Sequence, residues 1–141
     1  MAIVVGIDPG VNTGLAVWDT VSRAFLDIRC SGIVDAMEYL RRFRETRDIA
    51  LVVFEDARQR KWIPREKDIK EFKGRAMGAG SVKRDCTIWE EWCNNHRIEY
   101  VKVPPRPGMT KLTDRYFQGI TGYDRRTNNH GRDAAMLVFG R

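Results

Sequence analysis

The sequence lacks any apolar run long enough to cross a bilayer, since no stretch approaches the roughly 20 apolar residues that a spanning helix needs. It also lacks a basic N-terminal segment followed by a signal-type apolar core, so we expect a cytoplasmic protein without membrane contact. No internal repeat, low-complexity tract or linker interrupts it. Its 141 residues therefore predict a single domain, residues 1–141, with a sizeable core.

Cysteine is scarce as well. Cys30, Cys86 and Cys93 are odd in number and have no Cys-x-x-Cys spacing. No close cysteine–histidine quartet accompanies them, which argues against a structural zinc site. We expect three reduced, buried thiols.

Positive charge is abundant and unevenly distributed. Of a net charge of +6, nearly all lies in residues 58–75, called the basic segment here, where eight basic residues face three acids. The basic residues are Arg58, Arg60, Lys61, Arg65, Lys67, Lys70, Lys73 and Arg75. A concentration of basic residues beside an aromatic residue, Trp62, is typical of nucleic-acid binding. The alternative is a solvent-exposed face whose charges only keep the protein soluble. Trp62 either stacks at the DNA or packs under its own loop.

The first 19 residues predict a β-hairpin in which an apolar run ends at Asp8, turns through Pro9-Gly10 and Asn12-Thr13-Gly14, and returns. In the simplest interpretation Asp8 only opens the turn. In the alternative, its carboxylate lies at the rim of the sheet, where open α/β sheets place their ligands.

Further patterns predict the remaining elements in order. They are a second strand over 15–19, a third over 24–30, a helix over 35–46, a strand over 49–54, a helix over 67–96, a strand over 98–103, a helix over 110–120 and a closing helix from Asn128 or Asn129. Short turns make the first three strands antiparallel, and the strand after the crossover helix is expected to lie parallel to an earlier strand. The fold class is therefore α/β, with a mixed five-stranded sheet (three antiparallel strands, then two parallel) flanked by helices.

The fourth strand also ends in carboxylates, Glu55 and Asp56. If that strand lies beside the first, Glu55 is near Asp8, and a divalent cation would hold the two acids together. Asp56 is either a spare ligand or merely solvated. His130 and Asp133 share one face of the closing helix, which a surface pair beside an N-cap explains equally well. The ligand set that a pair of Mg²⁺ or Mn²⁺ ions requires at a scissile phosphate would consist of Asp8, Glu55, His130 and Asp133.

The long helix carries apolar residues on more than one narrow stripe. Val82, Cys86, Trp89, Trp92 and Cys93 either pack in the core or contact a second subunit in a homodimer.

The motifs Gly6-Ile7-Asp8-Pro9-Gly10 with Thr13-Gly14, Glu55 at a strand end, and His130-x-x-Asp133-Ala134-Ala135 resemble the RuvC-type Holliday junction resolvases. The resemblance covers essentially the whole chain and is to a short form such as phages carry, on the ribonuclease H-like fold. It implies a bacterial, homodimeric, divalent-metal-dependent endonuclease that resolves four-way DNA junctions by paired symmetric nicks.

The resemblance also implies residue roles. Asp8, Glu55, His130 and Asp133 would form the metal-binding and catalytic set, and Lys111 would lie near the scissile phosphate; an exposed lysine at a helix start is the alternative. Arg58 stands where relatives often carry an aromatic residue. We expect two-metal-ion phosphodiester hydrolysis by in-line water attack.

Two other functions stay open. One is a ribonuclease H-like nuclease that acts on other branched DNA, hybrids or structured RNA. The other is a DNA-binding module without catalysis. A nucleotide-binding fold of the actin and sugar-kinase type begins with a similar Gly-Ile-Asp strand, but it needs two lobes and a much longer chain than 141 residues.

Overall fold

The computed structural model describes residues 2–59, 69–105 and 112–141, with side chains throughout these ranges except for residues 69–79. Its elements are β1 (Ile3–Asp8), β2 (Thr13–Asp19), β3 (Ala24–Ser31), α1 (Ile33–Phe43), β4 (Ile49–Glu55), a 3-10 turn (Ala57–Gln59), α2 (Ile69–Asn95), β5 (Tyr100–Val103), α3 (Asp114–Thr121) and α4 (Asn129–Met136). No helix in these ranges is both long and apolar enough to cross a membrane.

The five strands form one sheet in the order β3-β2-β1-β4-β5. β2 pairs antiparallel with both β1 and β3, whereas β4 runs parallel to β1 and β5 runs parallel to β4. The predicted fold class is thereby confirmed, and the fourth strand lies directly beside the first, which the sequence had left open.

Helices cover both faces of the sheet. Alternate side chains of a strand point to opposite faces, so β1 sends Ile3, Val5 and Ile7 to one side and Val4 to the other. The first side packs against α1 and α2, and the second packs against α3 and α4. The result is a three-layer sandwich in which β1, β2 and most of β4 are buried on both faces, whereas the edge strands β3 and β5 are partly exposed.

The helix boundaries follow local capping. Thr113 caps α3 by accepting a hydrogen bond from the backbone N–H of Tyr116, so this helix begins later than predicted. Asn128 caps α4 by accepting from the N–H of Gly131 at 2.9 Å, as the sequence predicts. β5 begins two residues later than predicted, because the N–H of Ile98 still donates to the carbonyl of Cys93 at the end of α2 at 2.9 Å.

The apolar side chains of α2 fill the core of this chain. Cys86, Trp89 and Cys93 have no exposed surface, Trp92 is 9% exposed, and Val82 packs against the same cluster. The structure therefore favours the core interpretation for these five residues, whereas dimerisation stays a prediction. Burial raises the pKa of Cys93 to about 12, so its thiol stays protonated.

Candidate active site

The carboxylates of Asp8 and Glu55 lie at one rim of the sheet. Their preceding residues, Ile7 and Phe54, are register partners on the parallel strands β1 and β4. Ile7 and Phe54 both point into the core under α1 and α2. Because side chains alternate along a strand, Asp8 and Glu55 are directed to the opposite face, which α4 covers.

The first turn of α4 brings His130 onto Asp8. The Nδ1 atom of His130 lies 3.1 Å from Oδ2 of Asp8, across 122 residues of sequence. The Asp8 side chain is 18% exposed and the His130 side chain is 41% exposed, so the pair borders solvent. The hairpin aspartate and the closing helix, which sequence patterns alone had grouped, are thus in direct contact.

Two glycines explain how a helix comes so close to the sheet. A β-carbon at Gly6 would overlap the carbonyl oxygen of Ala134, and one at Gly14 would overlap the carbonyl oxygen of His130. Gly14 is also the register partner of Asp8 across β1 and β2. In the sequence these glycines stood out only as parts of a motif. Their position inside strands, where glycine usually signals close backbone approach, was the available signal.

Arg132 ties the start of α4 to the preceding chain, and the sequence analysis did not single out this residue. It is 8% exposed, and its Nε donates to the carbonyl oxygen of Leu112 at 2.9 Å. Its Nη1 donates to the carbonyl of Thr127, and Nη2 donates to Oδ1 of Asn129 at 2.6 Å. An arginine in a helix is usually at the surface, so composition alone gave no reason to bury this one.

Asp133 lies one turn after His130 on α4 and is partly buried. Carboxylate oxygens and an imidazole nitrogen suit Mg²⁺ or Mn²⁺, so the donor chemistry of Asp8, Glu55, His130 and Asp133 fits the expected metal. Within the described ranges, no three Asp, Glu, His or Cys side chains lie close enough together to form a metal site as they stand. The structure thus brings Asp8 and His130 together and gathers the other two on the neighbouring elements.

Most of the predicted DNA-binding residues cannot be placed. Lys111 and five members of the predicted DNA-binding set lie outside the described residues, namely Arg60, Lys61, Trp62, Arg65 and Lys67. Three further members lie on α2 in the stretch whose side chains are not described, namely Lys70, Lys73 and Arg75.

Arg58 and Asp56 are placed, and their environment differs from what the sequence predicts. Asp56 is only 2% exposed, so the interpretation of a merely solvated acid is wrong. It bonds instead to the guanidinium group of Arg58. A buried carboxylate needs such a partner, and Arg58 supplies it from two residues away.

No family model matches the sequence, and no curated protein matches it. Solved structures do. RuvC of Thermus thermophilus in complex with a Holliday junction substrate superposes with a TM-score of 0.61 at 16% identity, over 99% of this chain and 91% of that one. A second Thermus thermophilus RuvC structure gives 0.59 at 16% identity, over 97% and 91%.

A third structure, of Fowlpox virus resolvase with Holliday junction DNA, gives a TM-score of 0.49 at 14% identity, over 95% of this chain and 94% of that one. The two RuvC structures match this chain over nearly its whole length with TM-scores of 0.61 and 0.59. The protein therefore has the fold of RuvC, which is the ribonuclease H-like fold.

Proposed function

We propose that this protein is a divalent-metal-dependent endonuclease that resolves four-way DNA junctions by paired nicks. The observation that carries the proposal is the contact of His130 with Asp8 at the rim where β1 and β4 end. It joins an imidazole to a carboxylate beside a second carboxylate, Glu55, on the neighbouring strand. The choice of substrate is supported by the RuvC structure that was solved with a Holliday junction.

Asp8, Glu55, His130 and Asp133 would hold the divalent ions. When bound, these ions would supply positive charge to the reacting phosphate. Asp8 orients the imidazole of His130, because their hydrogen bond selects one ring orientation. His130 in turn can orient the attacking water or accept its proton. Lys111 would offset negative charge on the phosphate as the 3′ oxygen leaves.

The basic segment would bind the DNA backbone outside the chemical centre. It follows β4 directly, so DNA bound along it would pass the rim that holds Glu55. Homodimerisation would supply two such centres for the two nicks, and no membrane is involved in the proposal. Trp62 would stack on bases at the junction, since stacking of a base on an aromatic ring contributes ~1–3 kcal/mol.

The test is incubation of end-labelled four-way, three-way and linear DNA with Mg²⁺ or Mn²⁺. We expect symmetric paired nicks on the four-way substrate alone. Equal cleavage of the other DNA forms, or of structured RNA and hybrids, would instead favour a ribonuclease H-like nuclease of another specificity. Junction binding without any nicking would favour a non-catalytic module.

The residue test is Asp8→Asn, which keeps the size of the side chain and removes its charge. We expect nicking to be abolished while junction binding is retained. Asp48→Asn is the matched control, because Asp48 is exposed and directly precedes β4, at the end of the strand opposite to Glu55. Retained nicking in Asp8→Asn would remove Asp8 from the mechanism.

A further inference from the structure

Asp56, the residue after Glu55, is buried and forms an ion pair with Arg58, whose side chain is 28% exposed. The Nε and Nη2 atoms of Arg58 donate to the two carboxylate oxygens of Asp56 at 2.7 and 3.0 Å. The backbone N–H of Arg58 donates to the same carboxylate at 3.0 Å. Two parallel bonds from one guanidinium group give this pair a defined geometry as well as charge compensation. The pair thus fixes the 3-10 turn that starts the basic segment.

Arg58 extends from this turn to α2. Its Nη2 lies 3.2 Å from Oε2 of Glu90, and its Nη1 lies 3.3 Å from Oγ1 of Thr87. Glu90 also forms an ion pair with Lys102 of β5, whose Nζ lies 3.0 Å from Oε2 of Glu90. Acidic and basic side chains therefore alternate in a chain of four, Asp56, Arg58, Glu90 and Lys102. This chain connects the turn after β4 with α2 and β5.

The backbone around Glu55 is held by the same elements. The N–H of Asp56 donates to the carbonyl of Val103 on β5 at 2.7 Å, and the thiol of Cys86 on α2 approaches the carbonyl oxygen of Glu55 at 3.5 Å. Glu55 thus comes immediately before a turn that is tied to β5 by its backbone and to α2 by Arg58. A change in the ion pair would be transmitted to Glu55 through one peptide unit.

We propose that Arg58 is a positioning residue that acts through Asp56 to hold Glu55. This rests on the proposed function, in which Glu55 is a metal ligand and the basic segment, apart from Arg58, binds DNA. The assignment differs from a direct phosphate contact. A phosphate that took the Nε and Nη2 donors of Arg58 would leave Asp56 buried without its partner, which is costly.

Electrostatics agree with this assignment. Burial opposes the ionisation of Asp56, but the hydrogen bonds from Arg58 outweigh burial and hold the pKa of the carboxyl group below its usual value. The hydrogen bond to Asp56 likewise raises the pKa of Arg58.

The test uses two variants that alter the net charge in opposite directions, Arg58→Met and Asp56→Asn. We expect both to lower the single-turnover nicking rate at saturating junction by about 10- to 100-fold and to raise the Mg²⁺ concentration for half-maximal rate, as loss of support behind a metal ligand does. The log–log salt slope of junction binding should stay unchanged in both. Arg58→Lys should retain more activity than Arg58→Met but less than the wild type, because a single ammonium group cannot make two parallel hydrogen bonds to the carboxylate of Asp56.

Arg41→Met is the matched control, since Arg41 also bonds two carboxylates, Glu38 and Glu45, but lies exposed on α1. A different outcome would overturn the proposal: a salt slope reduced by about one in Arg58→Met, together with an unchanged nicking rate in Asp56→Asn, would make Arg58 a direct phosphate ligand.

Hydrogen exchange at the backbone amides of Asp56, Arg58 and Gln59 separates this inference from the proposed function. If the wild-type protein nicks no substrate, the proposed function fails. Faster exchange of these amides in both variants, with an unchanged salt slope, would still support the positioning role. Unchanged exchange in both variants would refute it.

Discussion

The carbonyl oxygen of His130 occupies the space that a β-carbon on Gly14 would fill. Gly14 is in turn the register partner of Asp8. The backbone of α4 therefore touches the sheet beside the aspartate, and the imidazole reaches the carboxylate at 3.1 Å. The geometry of the candidate site depends on the absence of one side chain at the start of β2.

Gly14→Ala should disrupt this packing. The added methyl group would push α4 away from the sheet, at a cost of about 1–3 kcal/mol in the free energy of unfolding, and nicking should fall as His130 moves away from Asp8. Urea unfolding and single-turnover nicking would measure the two effects. Gly119→Ala is the control, because Gly119 lies in α3 with open space at its β-carbon position. Equal stability of both variants would contradict the packing argument.

Arg132→Met should destabilise the protein by about 1–3 kcal/mol, because the carbonyl groups of Leu112 and Thr127 lose a buried donor. Arg132→Lys should recover only part of this, since a single ammonium group cannot reach every acceptor. Denaturant midpoints measure the effect. Arg42→Met, at a side chain that is 73% exposed, should change the unfolding free energy by no more than about 0.5 kcal/mol. A neutral Arg132→Met would show that the buried network contributes no net stability.

The Asp56–Arg58 pair should make stability depend on pH in the acid range. The pKa of Asp56 in the folded chain lies below its ordinary value of 3.8. Such a group stabilises the fold above its unfolded pKa, and that contribution is lost as pH falls through the folded pKa. We therefore expect the unfolding free energy of the wild type to fall more steeply below about pH 4 than that of Asp56→Asn.

Urea titrations between about pH 2 and 7 measure this difference across the acid range. Glu38→Gln is the comparison. Hydrogen bonding to Arg41 lowers the pKa of Glu38 to about 2, but its side chain is 44% exposed, so solvent screens the pair and its removal should matter less. If the unfolding free energies of the wild type and Asp56→Asn fell equally steeply with decreasing pH, the expectation would be contradicted.

Trp89 should matter for stability and not for association. Its side chain extends from α2 and is fully buried in the core between the sheet and α1, so Trp89→Ala should cost about 3–5 kcal/mol. Trp89→Phe should cost less because it retains a ring. Sedimentation velocity of the milder variant should give the oligomeric state of the wild type. A shift from dimer to monomer in Trp89→Phe would restore this helix face as an interface.

The basic segment should govern affinity more than chemistry. Combined replacement of Arg60 and Lys61 by alanine should weaken junction binding and flatten its log–log salt dependence by about one unit for each phosphate that the variant no longer binds. Nicking at saturating DNA should change little. Fluorescence anisotropy at several salt concentrations measures the slope. Binding equal to that of the wild type would reject the segment as the DNA-binding surface.

The order and type of the elements were predictable because each carries a local signal. Continuous apolar runs marked β1 and β4, and Asn128 marked the start of α4. A strand that follows a crossover helix normally runs parallel to an earlier strand, but the sequence did not decide which strand β4 would pair with. The strand-end positions of Asp8 and Glu55 followed from where the two apolar runs end.

Tertiary contacts decided what the local signals left open. In the sequence Asp56 was either a spare ligand or a solvated acid, yet the folded chain buries it and pairs it with Arg58, which also contacts Glu90 on α2. Trp89 and Trp92 fitted either a core or an interface, and the packing of α2 against the sheet placed them inside.

The sequence by itself determined the layered α/β fold, the strand ends that carry the acids, and the helix that carries His130 and Asp133. These depend on hydrophobic periodicity, turn residues and helix caps, which act over a few residues. Only the tertiary structure decided which charged groups meet, that His130 touches Asp8, and that Arg132 is buried. Such contacts join residues far apart in the chain, and their geometry is set by how closely two backbones can approach.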